Sequence, residues 1–227
     1  MAKLGSYFEA NRVIMSGFIP ASYSNVLEIG CASGGFSKYL TLAQEIWGVE
    51  PDEVAASCAS NKLTKVLCGR YDQIENLLPD QYFDLVVCND VIEHMIDHEA
   101  FFLAIRKKIK PGSYLVGSLP NIRHVTALFK LLILKDWPYG EAGILDRTHL
   151  RFFTQKSISR FFLEQKVSVE KFEGIGSVIR YGLSRPDKPL SSLNNFFFRV
   201  GALFVVFGTL GYYWDTQYPQ FGFRIRF

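Results

Sequence analysis

The sequence predicts an α/β fold built on a doubly wound, mostly parallel sheet. Short apolar runs alternate with helical patterns over the first 120 residues, and a glycine-rich turn directly follows the first apolar run. Such alternation is typical of a parallel sheet with helices on both faces. Glu50 closes the second apolar run, twenty residues after Gly30, and an acid at that spacing can hold the hydroxyls of a ribose.

The predicted elements follow that rhythm along the chain. We expect strands at 25–29, 45–49, 65–68, 83–89, 113–119, 167–174 and 221–227. We expect helices at 1–20, 35–43, 52–61, 71–78, 99–109, 125–134 and 155–165. Thr154 is the expected N-cap of the last helix, and the final strand alternates apolar and polar residues as an antiparallel strand does. Residues 121–150 and 177–220 break the rhythm, so we expect a single domain, 1–227, with these two insertions.

The glycine turn indicates a cofactor that contains a nucleoside. Gly30 lets the backbone turn where a side chain would clash and leaves room for a ligand to reach main-chain groups. Ala32 stands where the dinucleotide fingerprint has its middle glycine, and the chain has no phosphate-loop motif. Glu28, just before the turn, would repel a pyrophosphate but suits a cationic ligand with an amino group.

Four motifs in the same order resemble the class I S-adenosylmethionine-dependent methyltransferases. They are the acid and glycine turn of 28–34, the acid Glu50, the strand end and Val-Ile-Glu-His phrase of 83–94, and the turn Lys110-Pro111-Gly112. The resemblance implies a Rossmann-like sheet of seven strands, mostly parallel with a C-terminal antiparallel strand, and a helical cap over the cofactor. It also implies that the cofactor is S-adenosyl-L-methionine.

The same resemblance implies cofactor contacts along the carboxyl edge of the sheet. The expected contacts to the methionine end are Glu28, Gly30, Ser33 and Gly34. Glu50 is expected to contact the ribose, and Pro51, Tyr71 and Asp72 are expected to lie against the adenine. Asn89 is expected to face the methyl group.

A hydroxyl acceptor needs a base, and histidine is the side chain best suited to that role near neutral pH. Of the four histidines we expect His149 to be this base, with His94 and Asp90 as further catalytic residues near the methyl group. Other interpretations stay open: Asp90 as a helix N-cap, His94 as a local packing residue, and His149 as part of a network that fixes its loop. His94 and His98 have a spacing that could suit a metal on a helix, but nothing supplies an obvious third ligand, so no metal is predicted.

Residues 121–150 are expected to build the acceptor pocket. Trp137, Tyr139, Asp146 and Arg147 supply aromatic and polar groups that suit a sugar. The phrase from Asp146 to Thr154 resembles methyltransferases associated with bacterial polysaccharide biosynthesis, which implies a hydroxyl of a sugar, sugar-nucleotide or glycan intermediate as the acceptor. Two alternatives stay open: methylation of a lipophilic acceptor such as a quinone precursor, favoured by the apolar runs at 125–134 and 196–214, and a non-catalytic cofactor-binding partner protein.

Composition and charge narrow the partners and the compartment. A net charge of +3 over 227 residues, with no basic stripe, argues against nucleic acid. The four cysteines show no zinc spacing, so we expect reduced thiols and a cytoplasmic location. The apolar run 196–214 is too short and too rich in glycine for a convincing membrane span, which leaves burial within the chain, a homodimer contact or contact with a membrane surface as its expected roles.

Overall fold

The computed structural model describes residues 12–177 and 213–227. Its strands are β1 (Asn25–Ile29), β2 (Glu45–Glu50), β3 (Lys65–Cys68), β4 (Phe83–Asn89), β5 (Ile109–Pro120), β6 (Ser168–Ile175) and β7 (Gln220–Arg226). Its helices include α1 (Glu53–Ala59), α2 (Tyr71–Ile74), α3 (His98–Lys108), α4 (Val125–Leu132) and α5 (Gln155–Glu164). Residues 12–16 are also helical, within the predicted leading helix. The predictions for 1–11 and 178–212, which include most of the apolar run 196–214, lie outside the described residues.

The seven strands form one sheet in the order β3-β2-β1-β4-β5-β7-β6. β1 pairs in parallel with both β2 and β4, and β5 continues the parallel part beside β4. β7 runs antiparallel between β5 and β6. The predicted fold class is therefore confirmed. Because the chain moves outward from β1 to β3 and then returns to β4, the strand order reverses beside β1 and opens a crevice at the carboxyl ends of β1 and β4.

The central strands are covered on both faces of the sheet. Val26, Leu27, Leu85 and Val86 are completely buried, which explains why β1 and β4 read as continuous apolar runs. One face packs against α3 and α5, and the other against the segment around Phe18. This rigid centre positions the crevice.

The helix predicted at 35–43 is wrong. Only a 3-10 turn, Ser37–Tyr39, follows the glycine turn, and no side chain caps it. Gly34 and Gly35 offer no side-chain oxygen to cap a helix, and glycine lowers helix propensity. Phe36 and Leu40 both enter the core on the Phe18 side of the sheet, so burial of these two side chains shapes the connection in place of a regular helix.

The other boundaries differ from the predictions in small ways. β5 begins at Ile109, so the Lys-Pro-Gly turn lies inside the strand, where Gly112 has a φ of +76° and pairing with β4 shifts register. The helix predicted at 71–78 is one turn, α2, followed by a 3-10 turn at Glu75–Leu77. α3, α4 and α5 end within two residues of the predicted positions, with Asp97, His124 and Thr154 as N-caps.

Candidate active site

A cavity of about 860 Å³ opens at the carboxyl ends of β1 to β4. This volume is in the range of small-molecule and cofactor sites. Of the predicted site residues, its walls include Gly30, Glu50, Pro51, Tyr71, Asp72, Asp90 and His94. The walls also include residues that the sequence did not single out, among them Arg70, Met95, Ile96, Phe101, Thr148 and Leu150.

The glycine turn forms the floor of this cavity through its main chain. Gly30 has a φ of +68°, and a Cβ there would lie 2.6 Å from Cγ2 of Val91. Its N–H donates to the Val49 carbonyl at 2.8 Å. No side chain fits at this position, so the cavity wall is backbone, open to close approach by a ligand.

Glu50 ties the glycine turn to the start of α1. Its Oε2 accepts a hydrogen bond from the Ala32 N–H at 2.8 Å, and its Oε1 accepts one from the Asp52 N–H at 3.0 Å. An ionised carboxylate has about four acceptor positions. Glu50 can therefore keep both main-chain bonds and still accept hydrogen bonds from a diol in the cavity.

Glu28 lies beneath the turn and is only 4% exposed. Within the described residues its Oε2 accepts no hydrogen bond. Burial raises the pKa of the Glu28 carboxyl to about 8, while Arg12 acts to lower this pKa and Glu50 to raise it further. Glu28, Ser33, Gly34 and Asn89 are not among the residues that line the cavity, so their predicted cofactor contacts stay predictions.

The cavity wall that follows β3 combines a buried aromatic side chain with two exposed charged ones. Tyr71 is buried and packs edge-on against Phe101, with ring centroids 5.0 Å apart. Asp72 is exposed and pairs with Arg70 at 3.0 Å. Tyr71 and Asp72 both line the cavity, and their predicted contacts with the adenine stay predictions.

Asp90 follows β4 in the left-handed backbone region, with a φ of +55°. Its Oδ1 accepts hydrogen bonds from Ser118 Oγ at 2.8 Å and from Gln220 Nε2 at 2.6 Å. Burial raises the pKa of the Asp90 carboxyl, whereas these hydrogen bonds act to lower it. The helix that follows is capped by Asp97, so Asp90 does not have the N-cap role that was the alternative interpretation.

His94 and His149 come together beside Asp90, although they lie far apart in the sequence. His94 Nδ1 is 3.1 Å from the carbonyl of Thr148, which is 54 positions further along the chain. The two imidazole rings are 4.8 Å apart and edge to face. Nδ1 of His149 lies 3.1 Å from the Ile144 carbonyl. A carbonyl can only accept, so in these two contacts each ring donates from Nδ1.

Glu93 completes this group and was not predicted. It is 1% exposed, and within the described residues neither carboxylate oxygen accepts a hydrogen bond from another residue. Oε1 lies 4.0 Å from His149 Nε2, and the ligand atoms of Glu93, His94 and His149 all lie within 4.8 Å of one another. Burial raises the pKa of Glu93 well above its usual value, and the nearby Asp90 carboxylate adds to this shift.

The structure separates the predicted catalytic histidines by access to the cavity. His94 lines the cavity, whereas His149 does not, and the His149 side chain is 6% exposed. Burial lowers the pKa of His149, so this imidazole is neutral near pH 7. His98 begins α3 and packs against Phe153 and Phe161, so it is not a partner of His94.

The predicted acceptor residues lie in a segment without helix or strand, 133–154, which we call the acceptor segment. Its end is fixed by the N–H groups of Leu150 and Arg151, which both donate to the Glu93 carbonyl, at 2.8 and 3.0 Å. Trp137 packs edge-on against Phe152 at 5.3 Å and near Tyr139 at 6.5 Å. Trp137 is partly buried and Tyr139 is exposed, and neither lines the cavity, so contact with an acceptor stays a prediction for both.

Asp146 and Arg147 make contacts inside the acceptor segment. Oδ1 of Asp146 accepts hydrogen bonds from both the N–H and the hydroxyl of Thr148, at 2.8 and 2.7 Å. Arg147 pairs with Glu141 at 2.6 Å, and both side chains are exposed. Neither residue lines the cavity, so contact with an acceptor stays a prediction for both.

Sequence reasoning missed Glu93 because its signal is a single charged residue in the apolar phrase Val-Ile-Glu-His. Its neighbours Ile92 and His94 are buried and exposed, respectively, so the phrase alone does not indicate whether Glu93 faces the core or the solvent. Arg70, Met95 and Phe101 line the cavity because of how α2 and α3 pack, which no local motif encodes.

Three further observations concern thiols and membranes. Cys31, Cys58, Cys68 and Cys88 are free, as predicted. In the parts of the chain that are described, every helix is too short or too polar to cross a bilayer. The roles predicted for 196–214, and the predicted cytoplasmic location, stay predictions.

Comparisons with known proteins agree with this geometry. A family model described as a methyltransferase domain matches residues 8–166. The chain is 24% identical over 160 residues to a ubiquinone biosynthesis O-methyltransferase of Bradyrhizobium diazoefficiens, covering 66% of this chain and 60% of the relative. It is 26% identical over 161 residues to the mitochondrial ubiquinone biosynthesis O-methyltransferase of Schizosaccharomyces pombe, covering 68% and 58%. The match thus spans about three-fifths of the length of these relatives.

Solved structures show the same fold. A SAM-dependent methyltransferase from Archaeoglobus fulgidus superposes with a TM-score of 0.66 at 19% identity, covering 98% of this chain and 94% of that one. An S-adenosylmethionine-dependent methyltransferase from Mesorhizobium loti gives a TM-score of 0.60 at 14% identity, covering 96% and 98%. At these identities the likeness concerns the fold alone.

Proposed function

The chain belongs to the methyltransferase domain family, with S-adenosyl-L-methionine as its cofactor, and from that premise we propose that it methylates a hydroxyl group of a small, lipophilic acceptor such as a quinone precursor. The observation that carries the proposal is that Asp90 and His94, which follow β4, line the same cavity as Glu50 and Tyr71, which follow β2 and β3. A cofactor laid along the strand ends would have its reactive end at that pair.

The residues of the cavity fit this cofactor. A Cβ at Gly30 would clash with Val91, so this wall is main chain that a ligand can approach closely; the Glu50 carboxylate can receive a ribose diol, and the Tyr71 side can receive an adenine. Glu28 adds a buried carboxyl group with an unpartnered oxygen below the turn, and a nearby ammonium group would favour the ionised form of this carboxyl. When bound, the cofactor supplies an activated methyl group.

The chain's own contribution is to align the acceptor, exclude water and remove the hydroxyl proton. His94 lines the cavity, and the His149 ring packs edge to face against the His94 ring. Hydrogen bonds from Ser118 and Gln220 hold the Asp90 carboxylate in place. We place the acceptor hydroxyl at this group of three side chains, with Thr148 and Leu150 above it.

The apolar surroundings favour the lipophilic acceptor over the sugar. Met95, Ile96 and Leu150 line the cavity, and Ile96 and Leu150 are 58% and 49% exposed at its mouth. Exposed apolar groups that lie together mark a binding surface. The relatives named for ubiquinone biosynthesis agree with this alternative.

A sugar acceptor remains the second candidate because of one observation. Trp137 and Tyr139 form an aromatic pair in the acceptor segment, with Tyr139 exposed, and aromatic faces with nearby polar groups are suited to a sugar ring. Against it, Asp146 and Arg147 already bond within the acceptor segment. The association with polysaccharide biosynthesis has no further support from the described residues.

The test is a methyl-transfer assay with labelled S-adenosylmethionine. Purified chain is incubated either with a dihydroxylated aromatic compound bearing an isoprenoid tail or with nucleotide-linked sugars. We expect transfer to the aromatic hydroxyl, lost in His94→Ala and kept in the matched control His98→Ala. Transfer to the sugars alone would establish the second candidate, and cofactor binding without transfer to either class would favour a non-catalytic partner protein.

A further inference from the structure

We propose that Ser118 and Gln220 are positioning residues for methyl transfer: they hold one oxygen of the Asp90 carboxylate, so that the other oxygen faces the cavity and accepts the proton of the acceptor hydroxyl. The positioning stands on contacts between described residues, and the proton-accepting step rests on the proposed function. The sequence predicted Asp90 as a catalytic residue but gave the role of base to His149, which does not line the cavity.

Two donors from different strands meet on a single oxygen of Asp90. Ser118 Oγ, on β5, donates to Oδ1 at 2.8 Å, and Gln220 Nε2, on β7, donates to the same oxygen at 2.6 Å. Both residues are buried. Hydrogen bonds to an ionised oxygen are shorter and roughly twice as strong as those between neutral groups, so this pair of bonds fixes the orientation of the carboxylate.

The second oxygen of Asp90 is the one available to a ligand. Among the described residues, both side-chain hydrogen bonds to this carboxylate end on Oδ1. Asp90 is partly exposed and lines the cavity. An ionised carboxylate accepts hydrogen bonds on both oxygens, so Oδ2 keeps its acceptor positions for a hydroxyl group in the cavity.

Gln220 is itself held by the loop that precedes β7. The Pro219 carbonyl accepts a hydrogen bond from the Asn121 N–H at 2.8 Å, and the Tyr218 carbonyl accepts one from Asn121 Nδ2 at 2.9 Å. The Tyr218 ring occupies the place that a Cβ of Gly174 would take. The start of β7 therefore has little freedom, and the Gln220 donor is fixed in advance, as a group that positions a catalytic residue has to be.

The backbone of Asp90 depends on the same neighbours. Its φ of +55° is a left-handed conformation, which is uncommon for residues other than glycine. The Asp90 N–H donates to the Ser118 carbonyl at 3.2 Å, so Ser118 holds both the main chain and the side chain of Asp90. Such conformations persist where the surrounding structure fixes them, and they cluster at functional sites.

The charges around Asp90 show why the two donors matter for proton transfer. Burial raises the pKa of the Asp90 carboxyl, whereas the two donors, followed by His149 and His94, act to lower it. Glu93 is a neighbouring acid, and like charges favour the neutral form of each other. A protonated carboxyl cannot take a second proton, so the two donors keep Asp90 in the form that the reaction needs.

Asp90 is held more firmly than the other candidate base in the cavity wall. The His94 side chain is exposed, and its Nδ1 donates to the Thr148 carbonyl at 3.1 Å, which leaves it the role of an acceptor contact. Groups that are oriented before the reaction begins contribute most to catalysis. The geometry therefore favours the carboxylate as the group that takes the proton.

The step balances without a further reactant. The acceptor O–H bond breaks as its proton moves to Asp90 Oδ2, and the acceptor oxygen bonds to the methyl carbon. The methyl–sulfur bond breaks with its electron pair remaining on sulfur, so that the sulfonium becomes a thioether. Asp90 then releases the proton to solvent and returns to its ionised form.

The first experiment measures the Asp90 carboxyl directly and needs neither cofactor nor acceptor. Protein labelled with ¹³C at aspartate Cγ is titrated with pH by NMR, and Asp90→Asn identifies the signal. We expect the Asp90 titration to move to higher pH in Gln220→Met and in Ser118→Ala, because each variant removes a donor from the ionised oxygen. Gln217→Met is the matched control: Gln217 is buried and donates to the Trp214 carbonyl at 3.1 Å, so its loss should lower stability without moving the titration.

The second experiment measures methyl transfer to whichever acceptor class the transfer assay identifies. We expect kcat of Gln220→Met and of Ser118→Ala to fall by about 10–100-fold on the acid side of the pH profile, as loss of a hydrogen bond to a charged group predicts, and to recover as pH rises. Cofactor affinity should not change, since neither residue lines the cavity. Thermal unfolding checks that each variant is folded.

The outcomes separate this proposal from the proposed function. An unchanged Asp90 titration in both variants would overturn the positioning. A moved titration together with a wild-type pH profile of kcat would overturn Asp90 as the proton acceptor. If neither acceptor class is methylated, the proposed function is overturned and the proton-accepting step with it, while the carboxyl titration still decides whether Ser118 and Gln220 hold Asp90.

Discussion

The cavity floor and the acceptor segment are held in different ways. Around the floor, main-chain groups bond to residues close in the motif, as Ala32 and Asp52 do to Glu50. The acceptor segment has no helix or strand. The N–H groups of Leu150 and Arg151 attach it to the carbonyl of Glu93, which is more than 50 residues earlier in the chain. A local motif therefore encodes the first region, and tertiary packing encodes the second. We expect substitutions in the floor to abolish binding and substitutions in the acceptor segment to modulate it.

Gly30→Ala should have the largest effect. The new Cβ meets Val91 at 2.6 Å in a backbone with a φ of +68°, and the left-handed conformation alone costs roughly 1–2 kcal/mol for an alanine. We expect calorimetry to detect no binding of S-adenosylmethionine. Gly143→Ala is the control, because its φ is +90° but nothing lies within 4 Å of a Cβ there. If both variants bind the cofactor equally, the close fit of the floor is refuted.

Glu28→Gln should change how stability depends on pH. The pKa of about 8 for the Glu28 carboxyl in the folded protein exceeds its ordinary value of 4.5, so between these two pH values the native state holds a proton that the unfolded state has released. The stability of the wild type therefore falls as pH rises from about 4.5 to 8, by up to about 5 kcal/mol. The glutamine side chain does not titrate, so the stability of the variant should not show this fall with pH.

Urea unfolding at pH 5, 7 and 8.5 measures this difference. We expect the variant to gain stability relative to the wild type at each step. Parallel curves would show that Glu28 is ionised in the folded protein throughout.

Glu50→Gln should weaken cofactor binding by about 10–100-fold, since a hydrogen bond to a charged group contributes about 1.5–3 kcal/mol. The variant keeps the shape of Glu50 but loses the charge that Ala32 and Asp52 bind. Glu53→Gln, in the first turn of α1, is the matched control. Calorimetric titration with S-adenosylhomocysteine decides the matter, and equal affinity in both variants would contradict the role of Glu50.

Trp137→Ala should act on the acceptor alone. Its edge contact with Phe152 is worth about 0.5–1.5 kcal/mol, so we expect KM for the acceptor to rise about 2–10-fold with no change in cofactor affinity. Steady-state kinetics with varied acceptor measures it. A loss of cofactor binding would show that the two regions are not separate.

Arg147→Ala should have the smallest effect. The pair with Glu141 leaves 59% and 82% of the two side chains exposed, and such pairs contribute about 1 kcal/mol or less. We expect less than about a twofold change in acceptor KM. A larger change would identify Arg147 as an acceptor contact, as the sequence prediction holds.

The same contrast explains which features sequence reasoning could find. The sheet follows from the apolar runs, and its crevice follows from the glycine turn directly after the first run. Both features are local in the sequence, so both were predictable. The missing helix after the glycine turn was not, because burial of Phe36 and Leu40 outweighed their helical spacing. Glu93 and the pairing of His94 with His149 depend on contacts between segments far apart in the chain, and no periodicity records such contacts.

The position of β7 also has a consequence for the order in which this protein is completed during synthesis. β7 lies between β5 and β6 and pairs with both, yet the ribosome makes it after every other strand of the sheet. β6 therefore has no neighbour to pair with until residues 220–226 have emerged. Gln220, at the start of β7, donates a hydrogen bond to Asp90, so a nascent chain that already carries the glycine turn still lacks one of the two hydrogen bonds that hold the Asp90 carboxylate.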